Sequence, residues 1–189
     1  LDIKHDNFLD YALSNHKNDF LDIWLMANCS FCISTSTGLD EVSDIFRVPI
    51  VYVNALAIAN YSSWNKGCIW TPKTIVSKKS MAPLSVDELI ATGAIGMPEK
   101  GTYQELLDKN NLTYIDNTAD EILNSVSEML LKFNNQWEYS HQRQDRQKLF
   151  WKKLQTWPFF KKYHNINQEE PIGIISDTYL EKNKDWFFY

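Results

Sequence analysis

Apolar side chains in the first third of the chain recur with two different spacings. Residues 31–33 and 49–53 are short apolar runs, the second rich in β-branched side chains, as in parallel strands buried on both faces. Between them, Leu39, Val42 and Ile45 recur at helical spacing. Thr37 stands at the N-cap position, and Asp40 three residues later approximates a capping box. The pattern therefore predicts a β-α-β unit with a right-handed crossover.

The same alternation of strand and helix patterns continues along the chain. It predicts strands over residues 8–12, 68–71, 112–115 and 172–175, and helices over 19–28, 85–92, 102–109, 118–133 and 177–186. The apolar stripes of two of these helices are predicted to face the core: Phe20, Ile23, Trp24 and Ala27 in the first, and Ile122, Val126, Met129, Leu130 and Phe133 in the fourth.

This order of elements predicts an α/β fold, a Rossmann-like parallel sheet flanked by helices with a carboxyl-terminal helical extension. We expect residues 1–135 to form the sheet domain. Residues 136–189 would form an aromatic and basic helical extension that packs on the domain or on a partner.

The loop over residues 34–38 carries the candidate chemistry of the β-α-β unit. Four hydroxyl residues and Gly38 stand where a strand ends and a helix begins, where free backbone N–H groups suit a phosphate or another anion. A second interpretation is open, because Ser and Thr also cap helices and form turns. The loop has neither G-x-G-x-x-G nor G-x-x-x-x-G-K-[ST]. Asp40 and Glu41 place negative charge beside such an anion, and could instead bind ligand hydroxyls.

Several stretches around this loop resemble one known family. The sequence over residues 19–40, the Phe-Arg-Val-Pro turn over 46–49 and Val-Tyr-Val-Asn over 51–54 are similar to a family of bacterial glycosyltransferases encoded among surface-polysaccharide and lipopolysaccharide genes. Weaker features over 71–73, 84–89 and 179–183 occur there in a similar order. The resemblance covers most of residues 7–131 and resumes over about 170–187. It implies the architecture of two Rossmann domains known as GT-B, in which the carboxyl-terminal domain holds the nucleotide-sugar donor.

The resemblance also carries expectations about the site and about missing parts. Members of the family are about twice as long, so we expect the amino-terminal acceptor domain and the first β-α of the donor domain to be absent here. No catalytic base is assigned, and whether the isolated chain is active stays open. Because the nucleotide-diphosphate sugar is a substrate, no cofactor is expected, and the sequence has no Asp-x-Asp motif for a metal. The substrate-binding candidates are Ser34, Thr35, Ser36, Thr37 and Gly38 for the diphosphate, and Asp40 and Asn54 for sugar or ribose hydroxyls.

Two functions follow from these expectations. The first is the donor-binding portion of a glycosyltransferase, which transfers a sugar from a nucleotide-diphosphate sugar to a cell-surface glycan or a lipid-linked acceptor. The second is a non-catalytic Rossmann-like interaction module that self-associates as a homo-oligomer or completes another chain, such as a missing amino-terminal half. An uncovered edge of a parallel sheet needs a partner, and this favours the second.

The connection over residues 55–83 holds further candidates, because long connections at the carboxyl edge of a sheet are often functional. Tyr61 and Trp64 could stack on a base or a sugar ring, and Lys73, Lys78 and Lys79 could offset diphosphate charge. The alternatives are ordinary packing for the aromatic side chains and a solvated surface for the lysines.

Composition and charge narrow the function classes. The net charge of −5 argues against a general nucleic-acid binder. Three cysteines cannot all pair, and we interpret them as small core residues of a reducing compartment, which predicts a cytoplasmic protein.

Residues 136–165 differ in charge from the whole chain, with seven basic and two acidic side chains among many aromatics. This segment either contacts anionic lipid at the periphery of the inner membrane, where a lipid-linked acceptor would be met, or packs its aromatics on a neighbouring domain.

Overall fold

A parallel four-stranded sheet forms the centre of the structure. The computed structural model describes residues 5–62, 65, 67–138, 140–164 and 173–188. The sheet consists of β1 (Cys32–Ser34), β2 (Ile50–Ala55), β3 (Cys68–Pro72) and β6 (Ile174–Ile175) in the order β1-β2-β3-β6. A separate antiparallel pair, β4 (Thr74–Ser77) and β5 (Leu112–Ile115), continues from the end of β3. The α/β class and the parallel β-α-β unit are therefore confirmed.

Helices lie on both faces of this sheet. Their bounds are α1 (Asp19–Asn28), α2 (Asp40–Ile45), α3 (Val86–Thr92), α4 (Tyr103–Lys109), α5 (Ala119–Phe133), α6 (His141–Leu154), α7 (Phe160–His164), α8 (Asp177–Lys182) and α9 (Asp185–Phe188). Short 3-10 helices occur at Tyr11–Leu13 and Ile58–Asn60. None of the helices in the described ranges is both long and apolar enough to span a membrane.

The two faces of the sheet carry different cores. On the first face, Cys32, Tyr52 and Trp70 pack in a large cluster with residues of α3, α4, α6, α8 and α9, and Met26 and Cys29 of the α1 region pack against the same cluster. On the second face, Val51, Val53 and Ile69 pack beneath Met129 of α5. Within the described residues, the helical side chains of the second core all come from α5, which contacts β2 and β3. This core is therefore small.

Helix starts agree well with the sequence. Asn18 caps α1, and Ser85, Thr102 and Thr118 each form a complete capping box with the Glu three residues later. These signals are reliable because the cap bonds join residues three positions apart and need no tertiary contact.

Two amino-terminal predictions are wrong. Residues 8–12 form no strand, and a 3-10 helix begins within them at Tyr11. The stripe of Phe20, Ile23 and Trp24 on α1 does not face the core, and Phe20 is 72% exposed. α1 packs instead through the side that carries Met26, whose carbonyl accepts a 2.8 Å hydrogen bond from Ser43 Oγ of α2. The periodicity correctly predicted an amphipathic helix but not which side faces this domain.

The predicted stripe of α5 is only partly buried. Met129 is buried and Ile122 and Val126 pack against the second core, but Leu130 and Phe133 are about half exposed. Helix α5 covers β2 and β3, so the side chains on its far flank extend past the part of the sheet that it covers.

The segment after residue 135 contributes to the same sheet and core. β6 pairs with β3, and Phe150 and Trp151 of α6 are buried in the first cluster. The predicted strand over 172–175 is described only from residue 173, and the predicted last helix is split into α8 and α9. Burial lowers the pKa of His164, whose Nε2 lies 2.8 Å from the carbonyl oxygen of Ala59. The domain division at residue 135 stays a prediction.

Candidate functional site

The carboxyl edge of the sheet brings the predicted site residues into one region. In the parallel register, Ser34 at the end of β1 pairs with Tyr52, two residues before Asn54 in β2. Because neighbouring strands lie about 4.8 Å apart, the loop after β1 and the end of β2 are adjacent. Ligands of open α/β sheets bind outside this edge.

Asp40 closes the hydroxyl loop from within. Its Oδ2 accepts a 2.7 Å hydrogen bond from Ser34 Oγ, and its Oδ1 accepts a 2.9 Å bond from the N–H of Gly38. Ser34 Oγ in turn accepts a 3.1 Å bond from the N–H of Ser36. Asp40 is 2% exposed, so its carboxylate faces the loop rather than solvent. Ser34 and Asp40 therefore shape the loop, a role that the sequence pattern did not predict for them.

The outer part of the loop remains available. Thr35, Ser36 and Thr37 are exposed, and their side-chain hydroxyls make no hydrogen bond to any residue in the described ranges. Ser36 and Gly38 have φ values of 64° and 94°, which turn the chain back toward α2. Three hydroxyls thus project from a loop whose base is held by Asp40.

The predicted cap of α2 is wrong. The helix begins at Asp40, its N-cap residue is Leu39, and no side chain caps it, although Thr37 matched the cap pattern. Asp40 bonds Ser34 and Gly38 instead of completing a capping box. Because α2 has six residues and a carboxylate at its start, its dipole offers little attraction for an anion. Binding at this loop would depend on hydrogen bonds rather than on net positive charge.

Asn54 is held by a residue far away in sequence. Its N–H donates a 2.5 Å hydrogen bond to Asn117 Oδ1, and its own Oδ1 accepts a 2.6 Å bond from the N–H of Asn117. Asn117 Nδ2 also donates a 2.7 Å bond to the carbonyl of Pro72. Asn117 thereby ties the ends of β2 and β3 together. Sequence reasoning missed it, because an Asn before a capping Thr signals only a turn.

The aromatic and basic candidates of residues 55–83 have other partners. Tyr61 is buried, stacks on Trp70 at 4.3 Å between ring centroids and donates a 3.2 Å hydrogen bond to the carbonyl of Ala55, so of its two possible roles ordinary packing is the one observed. Trp64 lies outside the described residues. Lys73 pairs with Asp116 at 2.6 Å, Lys78 pairs with Asp108 at 2.6 Å, and Lys79 is exposed.

A groove of about 350 Å³ lies between the start of β4, which follows β3, and α8, which follows β6. Leu84 and Trp186 supply apolar walls, and Tyr179 and Lys182 supply polar groups. Burial raises the pKa of Tyr179 to about 12, so its hydroxyl stays protonated at neutral pH. A groove of this size can hold a small ring.

The cysteines show no ligand-binding arrangement. Cys29, Cys32 and Cys68 are free thiols, and burial raises the pKa of Cys68 to about 12. Within the ranges that the structure describes, no three His, Cys, Asp or Glu side chains come together in a way that could hold a metal ion. The interpretation of the cysteines as small packing residues agrees with this placement.

Comparison with known proteins returned no relatives: no family model, no curated protein and no solved structure matches this chain.

Replacing Asp40 with alanine is expected to lower the free energy of unfolding by about 2 kcal/mol, because the Ser34 hydroxyl and the Gly38 N–H would lose their acceptors. Asp40→Asn keeps one acceptor oxygen and should lose less. Urea denaturation of the three proteins measures the difference. A matched Asp87→Ala exchange removes an exposed carboxylate that bonds Lys153, and should change stability by under about 1 kcal/mol. Equal losses for Asp40→Ala and Asp87→Ala would contradict a structural role for Asp40.

Proposed function

We propose that this chain is the donor-binding portion of a glycosyltransferase with a Rossmann-like sheet. It would bind a nucleotide-diphosphate sugar at the carboxyl edge, for transfer to a cell-surface glycan or a lipid-linked acceptor. The observation that carries the proposal is the adjacency of the exposed hydroxyls of the loop to Asn54 at the ends of two paired parallel strands. The resemblance of residues 19–54 to a glycosyltransferase family supports it.

In this proposal the outer loop binds the diphosphate. The hydroxyls of Thr35, Ser36 and Thr37 donate hydrogen bonds to phosphate oxygens, while Asp40 keeps the loop in shape from beneath. An acceptor hydroxyl attacks the anomeric carbon, the bond from that carbon to the diphosphate oxygen breaks, and the nucleoside diphosphate leaves. Donors aimed at the leaving oxygens stabilise the charge that develops on them. The base that takes the acceptor proton would come from another domain.

Asn54 and the groove beyond β3 would hold the rest of the donor. Asn54 is half-buried at the edge, and its side-chain Nδ2 makes no hydrogen bond to any residue in the described ranges, which leaves a donor for a ribose or sugar hydroxyl. The groove between Leu84 and Trp186 has apolar walls that suit a ring.

The proposal predicts saturable binding of one nucleotide, and Thr37→Asp should weaken it at least about tenfold. The new carboxylate would stand beside the phosphates, and like charges a few ångströms apart repel by about 1–4 kcal/mol. Calorimetric titration of the chain with UDP, GDP, ADP and CMP in turn measures the affinity for each nucleotide and identifies the preferred nucleobase.

The matched control is Ser80→Asp. Ser80 is exposed in the turn after β4 and lines neither the hydroxyl loop nor the groove, so Ser80→Asp adds the same charge outside the proposed site. It should bind the nucleotide as the unmodified chain does. Thr37 is exposed, so Thr37→Asp should keep the thermal midpoint. The proposal fails if none of the four nucleotides binds at millimolar concentration, or if Thr37→Asp and Ser80→Asp bind equally.

A further inference from the structure

β1 is the outer strand of the parallel sheet, and on one face no helix of the described residues covers it. Ile33 in β1 pairs with Val51 in β2, so the two side chains project from the same face. Val51 is completely buried in the core beneath α5, whereas Ile33 is 50% exposed. Parallel sheets are normally covered on both faces, so this part of the sheet is incomplete by itself.

Helix α5 forms the wall of the open region. Ser125 and Glu128 contact Thr71 in β3 and Ser176 after β6, which places their side of the helix toward β6. Leu123 and Leu130 lie roughly 140–160° around the helix from Ser125, so their flank is directed toward β1. Together with Phe133, these side chains are about half exposed or more. An uncharged apolar flank thus stands beside an uncovered strand.

The opposite side of the same edge is also apolar. Helix α1 packs through Met26 on the first face of the sheet. Its stripe of Phe20, Ile23 and Trp24 is exposed. We define the β1 edge surface by the exposed apolar side chains on both faces: Phe20, Ile23, Trp24, Ile33, Leu123, Leu130 and Phe133.

Apolar side chains are grouped beside β1 rather than scattered. Leu123, Leu130 and Phe133 are about half exposed or more on α5, and Ile33 is 50% exposed on the same face of the sheet. Single exposed apolar side chains are ordinary, whereas a group of them marks an interaction site. The β1 edge surface is therefore a candidate docking site.

We infer that the β1 edge surface binds a separate α/β polypeptide that adds a strand beside β1 and an amphipathic helix beside α5. Packed helices lie about 8–10 Å apart, which equals two strand spacings. Helix α5 covers β2 and β3, so the next helix would lie over β1 and one added strand. The helix that fits has an uncharged apolar face, because the flank of α5 and Ile33 offer no charge. This inference does not depend on nucleotide binding.

A second copy of the chain fits this surface less well. If two copies paired through β1, their α5 helices would lie about four strand spacings apart, roughly 19 Å. Helices in contact are about 8–10 Å apart, so a gap of one helix would remain over the two β1 strands. Ile33 and the flank of α5 would stay exposed in such a dimer.

Two synthetic peptides of about 30 residues test the inference. The first joins a Val/Thr strand to a helix with leucines at i, i+3, i+4 and i+7, and the second has the same composition with the leucines scattered around the helix. Fluorescence anisotropy of the labelled peptides measures binding to the full chain. We expect saturable binding of the first peptide alone, and at least tenfold weaker binding to Ile33→Lys and to Leu130→Lys.

The control variants are Ile115→Lys and Leu149→Lys, which change exposed apolar side chains on β5 and α6. They should bind the first peptide as the unmodified chain does. Sedimentation velocity gives the oligomeric state of each protein. Equal binding of the two peptides, no binding of either, or a dimer of the chain that Ile33→Lys dissociates would each overturn the inference. Nucleotide affinity is measured separately, so a failure here leaves the proposed function intact.

Discussion

Replacing Glu128 with alanine is expected to lower the free energy of unfolding by about 3–5 kcal/mol, since each buried donor left without an acceptor costs about 1–3 kcal/mol. Glu128 is 4% exposed and caps α8 from α5. Its Oε1 accepts hydrogen bonds from Ser176 Oγ at 2.9 Å and from the N–H of Thr178 at 2.8 Å, and its Oε2 accepts one from the N–H of Asp177 at 3.0 Å. Alanine would leave these three donors buried without an acceptor.

The loss should be large because Glu128 lies next to a buried ion pair. Asp177 accepts two hydrogen bonds from Arg146, at 2.8 and 2.7 Å, and this bonding raises the pKa of Arg146. Once Glu128 is removed, the start of α8 is expected to loosen, and Asp177 would leave its place beside Arg146. The Glu128 carboxylate therefore stabilises the contacts that join the segment after β6 to α5 and α6.

Urea denaturation with linear extrapolation measures the effect of Glu128→Ala. Glu128→Gln keeps the shape and one acceptor oxygen, so it should lose less. Glu99→Ala removes an exposed carboxylate and should stay within about 0.5 kcal/mol of the unmodified chain. If Glu128→Ala were as stable as Glu99→Ala, the cap would be structurally unimportant.

Replacing Phe150 with alanine should cost a similar amount, about 3–5 kcal/mol. The ring is completely buried at the centre of an aromatic cluster. It meets Trp151 edge to face at 5.3 Å and stacks on Trp186 at 5.7 Å between centroids. Alanine removes these contacts and leaves a cavity that stiff rings cannot fill by shifting slightly.

The matched exchange is Phe159→Ala in the same segment. Phe159 is 52% exposed and contacts Trp157 at 5.7 Å, so its removal should cost under about 1 kcal/mol. The thermal midpoint and urea denaturation measure both variants. Equal losses would mean that the aromatic residues of α6 do not form part of the core. Membrane contact by residues 136–165 remains a prediction, and it would have to use exposed side chains such as Phe159 rather than Phe150.

Short-range sequence patterns predicted where helices and strands begin better than they predicted which residues those elements contact. The helices predicted to start at Ser85, Thr102 and Thr118 are present, and each begins with a capping box whose two partners lie within one helical turn. The cap predicted at Thr37 is wrong because Asp40 bonds Ser34 and the N–H of Gly38 inside the loop instead. That alternative is also local, but the spacing of residue types does not distinguish it from a capping box.

The sequence pattern did not predict contacts between residues that are far apart in the chain. Asn54 and Asn117 hold each other across 63 positions, and no pattern in either segment indicates the pair. The same limit applies to Glu128, which caps a helix about fifty residues later. The sequence leaves two roles open for Tyr61, and its stack against Trp70 in the core decides for ordinary packing.

The sequence by itself determined the β-α-β unit, the starts of most helices and the position of the hydroxyl loop, because these depend on residues near one another in the chain. Only the tertiary structure decided which apolar stripes are buried. The stripe of Phe20, Ile23 and Trp24 has the periodicity of a core helix, yet it faces outward. Hydrophobic periodicity shows that a face avoids water, but whether this domain or another polypeptide covers it depends on how the helices are arranged around the sheet.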